Sequence, residues 1–163
     1  MLSTKKNRLF SGEKHGVIKD KDGYHPAQYM GPGTKLDVRL PRGDKGLSEV
    51  DKISKVHDIQ YSLAKDSTDL RKADERMIKN VKRSRKNKKD NYFNHAQADL
   101  IKAKVFLEDK AGLPQDFFVK LDGKSSPELK KLARKELKKL ELEGYGLKGG
   151  RLNTTYQDYL NNQ

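Results

Sequence analysis

The sequence contains no cysteine, and only 33% of its 163 residues are hydrophobic. The absence of cysteine excludes disulfide bonds and any metal site built from thiolates. The low hydrophobic content limits the core to one small domain, so parts of the chain are expected to lie outside it. No stretch approaches the roughly 20 apolar residues of a membrane-spanning helix, and residues 1–18 contain no apolar signal-peptide core. We therefore expect no transmembrane segment and no signal peptide, so that any membrane contact is peripheral.

Charged residues are abundant by contrast, at 36% of the chain, and positive charge is in excess. The formal net charge of +13 predicts an anionic partner, which is either nucleic acid or an acidic lipid surface. The densest basic run, residues 82–89, has the sequence KRSRKNKK. This run is compatible with a solvated helix end, a nuclear-import signal, or a contact with nucleic acid or an anionic membrane.

Hydrophobic periodicity predicts two long helices joined by a short polar break at residues 66–69. Ser48 and Asp51 fit a capping box that begins the first helix, which is predicted to end near Lys65. Asp69 is predicted to cap the second helix. A break this short makes the two helices antiparallel neighbours.

The two helices are predicted to bring a histidine and a carboxylate together. His57 and Tyr61 lie on the apolar stripe of the first helix, and Asp74 interrupts the apolar stripe of the second. Burying a carboxylate without a partner is costly, so Asp74 requires one. His57 and Asp74 lie about 12 and 8 Å from the break along their helices, which makes the imidazole the predicted partner. The alternative is that His57 is an ordinary core histidine.

A third helix is predicted over residues 91–109. The residues expected to face the core are Phe93, Ala96, Leu100, Ala103 and Leu107. His95 and Asp99 fall on the other side of this helix and are predicted to be surface residues. Asp99 is a weaker alternative to Asp74 as the partner of His57.

Composition and turn residues divide the chain into five parts and predict an all-α fold. The parts are a flexible basic arm (1–23), a helical domain (24–110), a linker or docking segment (111–126), a basic amphipathic helix (127–143), and a glycine-rich linker with a flexible tail (144–163). The amphipathic helix fits three roles, which are lying on a membrane, pairing with a partner, and packing on the domain.

A glycine-rich loop, Tyr29-Met30-Gly31-Pro32-Gly33, precedes the first long helix. Pro32 between two glycines disfavours regular helix or strand and allows the backbone to curl tightly. Such a curl can point successive carbonyl oxygens at one spot, which suits a hard cation such as calcium. An ordinary turn is the alternative interpretation.

With this loop, the His57-Asp58 dyad and Asp74 in that order, the chain resembles the phospholipase A2 superfamily. The nearer resemblance is to the cysteine-free phospholipase domains in the minor capsid proteins of parvoviruses and related viral elements. It covers roughly residues 24–108 and implies a small helical fold with two antiparallel catalytic helices and no disulfides. The β-hairpin that separates these helices in the secreted enzymes has no room at residues 66–69, so an almost purely helical domain is expected.

The resemblance implies Ca²⁺ as the cofactor. The main-chain carbonyls of Tyr29, Gly31 and Gly33 are the implied metal ligands, together with the Asp58 carboxylate. Asp58 follows His57 in the helix and points about 100° away from it, so the two side chains can face different partners.

The resemblance also implies a catalytic set. His57 is the implied general base, which removes a proton from a water that attacks the sn-2 ester of a phospholipid. Asp74 orients His57, and Tyr61 forms a hydrogen bond with the Asp74 carboxylate. Ca²⁺ and the Gly31 amide stabilise the oxyanion.

The expected function is that of a calcium-dependent phospholipase A2, associated with a virion, that breaches a host endosomal membrane. The expected partners are a phospholipid surface, viral capsid proteins, and nucleic acid through the basic runs. One alternative is a catalytically silent basic structural protein that binds nucleic acid or capsid. Another is a metal phosphoesterase that uses His57 and Asp58, although such sites usually need several more His and Asp ligands.

Overall fold

The structure is a computed structural model that describes residues 15–31, 34–112 and 125–145. The described elements, in chain order, are β1 (Val17–Asp20), β2 (Gly23–Pro26), α1 (Leu36–Arg42), α2 (Glu49–Leu63), α3 (Ser67–Lys86), α4 (Tyr92–Ala111), α5 (Pro127–Leu140) and a final helical turn (Glu141–Tyr145). Helices dominate, so the predicted all-α class is confirmed, with one small hairpin added. Across these described ranges, no helix has the length and apolar character needed to cross a membrane.

The paired helices α2 and α3 form the centre of the fold. Ser48 begins α2 by accepting a hydrogen bond from the Asp51 amide at 3.1 Å. Asp66 begins α3 by accepting from the Asp69 amide at 2.9 Å, so the prediction of Asp69 as the cap is wrong. The helix starts three residues earlier because the Asp66 side chain, and not that of Asp69, accepts from an amide of the first turn. The connection between the helices contains no hairpin, as expected, and α3 returns along α2.

The hairpin begins within the segment predicted to be a flexible arm, which contains β1 and the first residue of β2, and ends in the predicted helical domain. Its two strands pair antiparallel, Ile18 is 1% exposed, and the Lys19 amide donates to Asn94 Oδ1 at 2.9 Å. The prediction of a flexible arm over residues 1–23 is therefore wrong for the hairpin, whereas residues 1–14 lie outside the described ranges. Strands of four residues give little periodicity, and the contact with Asn94 comes from a distant helix, so local sequence barely indicates them.

Helix α4 turns a polar face to the domain and an apolar face outward, the reverse of the predicted orientation. Its buried residues are Asn94, His95, Ala98 and Glu108. The predicted inward stripe is exposed or nearly so, and Leu100 at its centre is 74% exposed. His95, predicted to be a surface residue, is 2% exposed and lies 2.9 Å from the Ser84 hydroxyl. Polar partners on α3 and the hairpin satisfy this buried face, and hydrophobic periodicity carries no information about them.

Helix α5 packs on α1 and α2. Lys55 Nζ lies 2.6 Å from Glu136 Oε1, and the Tyr145 hydroxyl donates to Glu49 Oε2 at 2.6 Å. Of the three roles left open for the basic amphipathic helix, the structure shows packing on the domain.

Because α5 packs on α1 and α2, the packed part of the chain extends past residue 110, where the domain was predicted to end. The helix predicted over residues 127–143 corresponds to α5 and the start of the final helical turn. Most of the predicted linker 111–126 and of the predicted tail 144–163 lies outside the described residues.

Asp51 is fully buried in α2, and its carboxylate joins this helix to the loop before it. The amides that donate to it belong to Gln28 (3.0 Å), Tyr29 (2.8 Å), Met30 (3.1 Å) and Leu47 (2.9 Å). The predicted capping box is thus half correct, because the Asp51 carboxylate bonds these amides and not that of Ser48. Several amide donors compensate the buried charge, and they fix the chain directly before Gly31.

We expect Asp51→Asn to lower the free energy of unfolding by roughly 3 kcal/mol. An asparagine offers one acceptor oxygen, and its amide nitrogen faces main-chain donors, so some buried amides lose their partner. Urea unfolding followed by circular dichroism measures the effect. Asp22→Asn, in the exposed turn of the hairpin, is the matched control and should change stability by less than about 0.5 kcal/mol. Equal stability of the two variants would contradict the role given to Asp51.

Candidate active site

His57, Asp74 and Tyr61 meet at the interface of α2 and α3. His57 Nε2 lies 2.7 Å from Asp74 Oδ1, and the Tyr61 hydroxyl donates a short hydrogen bond to the same oxygen. His57 is 6% exposed and Asp74 is completely buried. An imidazole that donates from Nε2 to a carboxylate carries its free lone pair on Nδ1 when neutral. The arrangement therefore presents one ring nitrogen as a base and fixes the other.

Burial and neighbouring groups shift the pKa values of His57, Asp74 and Tyr61. Burial alone would lower the pKa of His57, but the carboxylates of Asp58 and Asp74 outweigh it and raise that pKa. Burial would raise the pKa of Asp74, but hydrogen bonds from His57, Lys104 and Tyr61 lower it below its usual value. Burial and the neighbouring Asp74 raise the pKa of Tyr61. Near neutral pH, Asp74 is thus ionised and Tyr61 is a hydrogen-bond donor.

Asp58 lies on the other side of the imidazole. Its Oδ1 is 3.5 Å from His57 Nδ1, beyond an ordinary hydrogen-bond length. Its Oδ2 is buried, and no hydrogen-bond partner for it is found among the residues that the structure describes. Burial raises the pKa of the Asp58 carboxyl, and contacts with His57 and with Thr34 act in the opposite direction. A buried carboxylate oxygen without a donor is a favourable position for a cation.

The glycine loop is described as far as Gly31. Gly31 has a φ of +124°, a conformation that side chains with a Cβ rarely adopt. The Thr34 hydroxyl donates to the Gly31 carbonyl at 3.4 Å and also interacts with the Asp58 carboxylate. Thr34 therefore joins the loop to the helix at the predicted metal site. Gly33 lies outside the described residues.

Tyr29 anchors the start of this loop through its side chain. Its hydroxyl donates to the Asp44 carbonyl at 2.7 Å, and its ring is 1% exposed. Lys55 Nζ lies 5.3 Å from the ring centroid, within the range of a cation–π contact. Because both the ring and the amide of Tyr29 are fixed, the main chain that follows has a defined course toward Gly31.

The residues near Asp58 fit a calcium ion. The donors are all oxygens, which is the ligand type that calcium prefers. Throughout the described part of the chain, no group of three or more His, Cys, Asp or Glu side chains is arranged to hold a metal. A metal at this position would therefore depend on main-chain carbonyls, with the unpartnered Asp58 Oδ2 as the charged ligand. The carbonyls of Tyr29 and Gly31 belong to the loop that Asp51 and Thr34 hold there.

The alternative residues from the sequence lie elsewhere. Asp99 pairs with Arg85 at 3.1 Å and with Lys102 at 3.0 Å, and does not approach His57. The structure instead adds Lys104, which the sequence analysis did not single out. Lys104 Nζ lies 2.5 Å from Asp74 Oδ2. Nothing in the sequence distinguishes this lysine, because its role depends on the unexpected orientation of α4.

Comparison with known proteins found a family model that matches the part of the chain carrying this site. Residues 23–90 match the family model described as a phospholipase A2-like domain, and this range contains the glycine loop, His57, Asp58 and Asp74. No curated protein matches the chain, and no solved structure does. The resemblance identified from the sequence is confirmed by the family match. Residues 23–90 of this chain are therefore similar to the phospholipase A2-like domain, the family that the sequence motifs indicated.

Proposed function

We propose that the protein is a calcium-dependent phospholipase A2 that hydrolyses the sn-2 ester of phospholipids. The observation that carries the proposal is the buried His57–Asp74 pair beside Asp58, whose Oδ2 has no hydrogen-bond partner in the described residues. A purely structural role does not require the buried Asp74 carboxylate to lie 2.7 Å from His57 Nε2. Nor does it require the Asp58 carboxylate to lie 3.5 Å from His57 Nδ1. The match of residues 23–90 to the phospholipase A2-like domain supports the same reaction.

The proposed reaction uses the lone pair of His57 Nδ1 as the general base. His57 removes a proton from a water molecule whose oxygen attacks the sn-2 acyl carbon. The imidazolium that forms is stabilised by Asp74, which accepts the Nε2 hydrogen bond. His57 then returns the proton to the departing alkoxide as the ester C–O bond breaks. The products are a free fatty acid and a lysophospholipid.

The proposed ligands of Ca²⁺ are the carbonyls of Tyr29, Gly31 and Gly33 and the carboxylate of Asp58. The chemistry that the bound ion supplies is compensation of the negative charge that develops on the ester oxygen. The Gly31 amide is the proposed main-chain donor to the same oxygen. The positive φ of Gly31 supports this role, because an unusual backbone conformation can direct an amide into a site.

We further propose that the main partner of the protein is a phospholipid surface. The protein is then associated with a virion, and its lipase activity breaches a host endosomal membrane during entry. The net charge of +13 supports contact with anionic phospholipid, and it also suits a protein packed beside a genome. The resemblance to capsid-associated phospholipase domains supports viral capsid proteins as further partners. The basic run at residues 82–89 is the proposed nucleic-acid contact.

We expect His57→Gln to reduce fatty-acid release from phospholipid vesicles by at least about 10³-fold, because the general base is lost. The assay is run with millimolar calcium and again with chelator, and chelator should abolish release by the wild type. His25→Gln, at a half-exposed histidine of the hairpin, is the control and should retain activity. Absence of release by folded, calcium-loaded wild type on several lipids would overturn the proposed activity and favour a structural, nucleic-acid-binding protein.

We expect Asp58→Asn to weaken calcium binding by about tenfold or more, since the site loses its charged ligand. Isothermal titration calorimetry measures this directly, without any dependence on catalysis. His57→Gln should bind calcium with nearly the wild-type affinity, because its side chain is not a proposed ligand. If Asp58→Asn binds calcium as the wild type does, the assignment of the metal site is wrong.

We expect Tyr61→Phe to reduce the turnover number by about tenfold or less, because a single hydrogen bond to a carboxylate is removed and the ring is kept. Steady-state kinetics on mixed micelles test this prediction. A loss as large as that of His57→Gln would contradict it and would give the Tyr61 hydroxyl a direct part in the chemistry.

A further inference from the structure

We infer that Lys104 of α4 is a positioning residue for the catalytic histidine, acting through Asp74. The inference rests on the proposed function. Lys104 lies outside residues 23–90, the part of the chain that matches the family model. A residue beyond the matched domain would then complete its catalytic arrangement.

The two oxygens of Asp74 have different partners. Oδ1 accepts from His57 and Tyr61, and Oδ2 lies 2.5 Å from Lys104 Nζ. Asp74 is fully buried, so bulk water does not reach Oδ2 while Lys104 is in place. Because His57 and Tyr61 hold Oδ1 and Lys104 holds Oδ2, rotation of the carboxylate about its Cβ–Cγ bond is restricted. Lys104 thereby keeps Oδ1 directed at the imidazole.

Lys104 itself is held in place by other groups. Its side chain is 11% exposed, and Nζ lies 2.7 Å from Glu108 Oε1 one helical turn away. Nζ also lies 5.7 Å from the centroid of the Tyr61 ring, within the range of a cation–π contact. Arg71 Nη2 lies 3.3 Å from the other oxygen of Glu108. With contacts to Asp74, Glu108 and the Tyr61 ring, the Lys104 side chain has little rotamer freedom, as positioning requires.

The charges of this cluster balance. Asp74 and Glu108 are both acidic and almost without exposure, and Lys104 and Arg71 supply two positive charges next to them. Removing Lys104 alone leaves an uncompensated buried carboxylate, which destabilises a protein strongly. A test must therefore separate the loss of folding from the loss of positioning.

The experiment compares Lys104→Met with Lys104→Met/Glu108→Gln and Lys104→Arg. The double variant removes one charge of each sign, so the cluster stays balanced and is expected to fold, while Asp74 Oδ2 loses its partner. Lys104→Arg keeps both the charge and the donors. Lys102→Met is the matched control, because Lys102 lies on the same helix and pairs with Asp99 at the surface.

We expect the turnover number of the double variant to fall about 10- to 100-fold, because small misplacements of a catalytic group are costly. The KM and the calcium Kd should stay within about twofold of wild type, since Lys104 acts through Asp74 and is not one of the proposed calcium ligands. Lys104→Arg should recover most of the turnover, and Lys102→Met should match wild type. In ¹⁵N NMR spectra of the imidazole, the Nε2–H signal of His57 should broaden or shift in both variants that carry Lys104→Met, and should keep its wild-type position in Lys104→Arg and Lys102→Met.

A double variant that is less stable but keeps wild-type turnover and the wild-type Nε2–H signal would overturn the inference and leave Lys104 a structural ion pair. If the wild type itself releases no fatty acid, the proposed function fails. The NMR comparison still decides, in that case, whether Lys104 orders the His57–Asp74 pair. The two failures are thus distinguishable.

Discussion

The Asp74 carboxylate is completely buried, and the candidate active site is arranged around the compensation of its charge. His57 and Tyr61 approach one oxygen from α2, and Lys104 approaches the other from α4. An ionised carboxylate is tolerated in a protein interior only when its hydrogen-bonding capacity is filled. Three helices therefore meet at one side chain, and the contacts that make its burial tolerable are the same contacts that orient the imidazole.

Helix α2 relates this pair to the loop that precedes it. Asp51 binds the loop amides near the start of the helix, and His57 and Asp58 follow about two turns later. Because Asp51 and Asp58 lie on the same rigid helix, α2 fixes both the glycine loop that Asp51 binds and the carboxylate of Asp58. Two buried aspartates thus fix the site. Asp51 binds main-chain amides and holds the glycine loop, and Asp74 binds side chains and orients His57.

The sequence predicted the parts of the site that depend on local pattern. His57 and Asp74 could be paired because both interrupt apolar stripes on helices joined by a short break. Lys104 could not be found, because it is one of 36 basic residues and its face of α4 was assigned by hydrophobic periodicity alone. That criterion fails where a buried helix face is polar, as at His95. The hairpin was missed for a related reason, since its strands are short and the contacts that join it to the domain come from α4, far along the chain.

The separations in sequence of these contacts differ, and they imply an order of assembly during folding. His57 and Asp74 are 17 residues apart, Lys104 and Asp74 are 30 apart, and Lys55 and Glu136 are 81 apart. Closing a shorter loop costs less entropy, and contacts within a helical hairpin form early. We therefore expect α2 and α3 to associate first, so that the histidine and its aspartate meet before α4 and α5 dock on them.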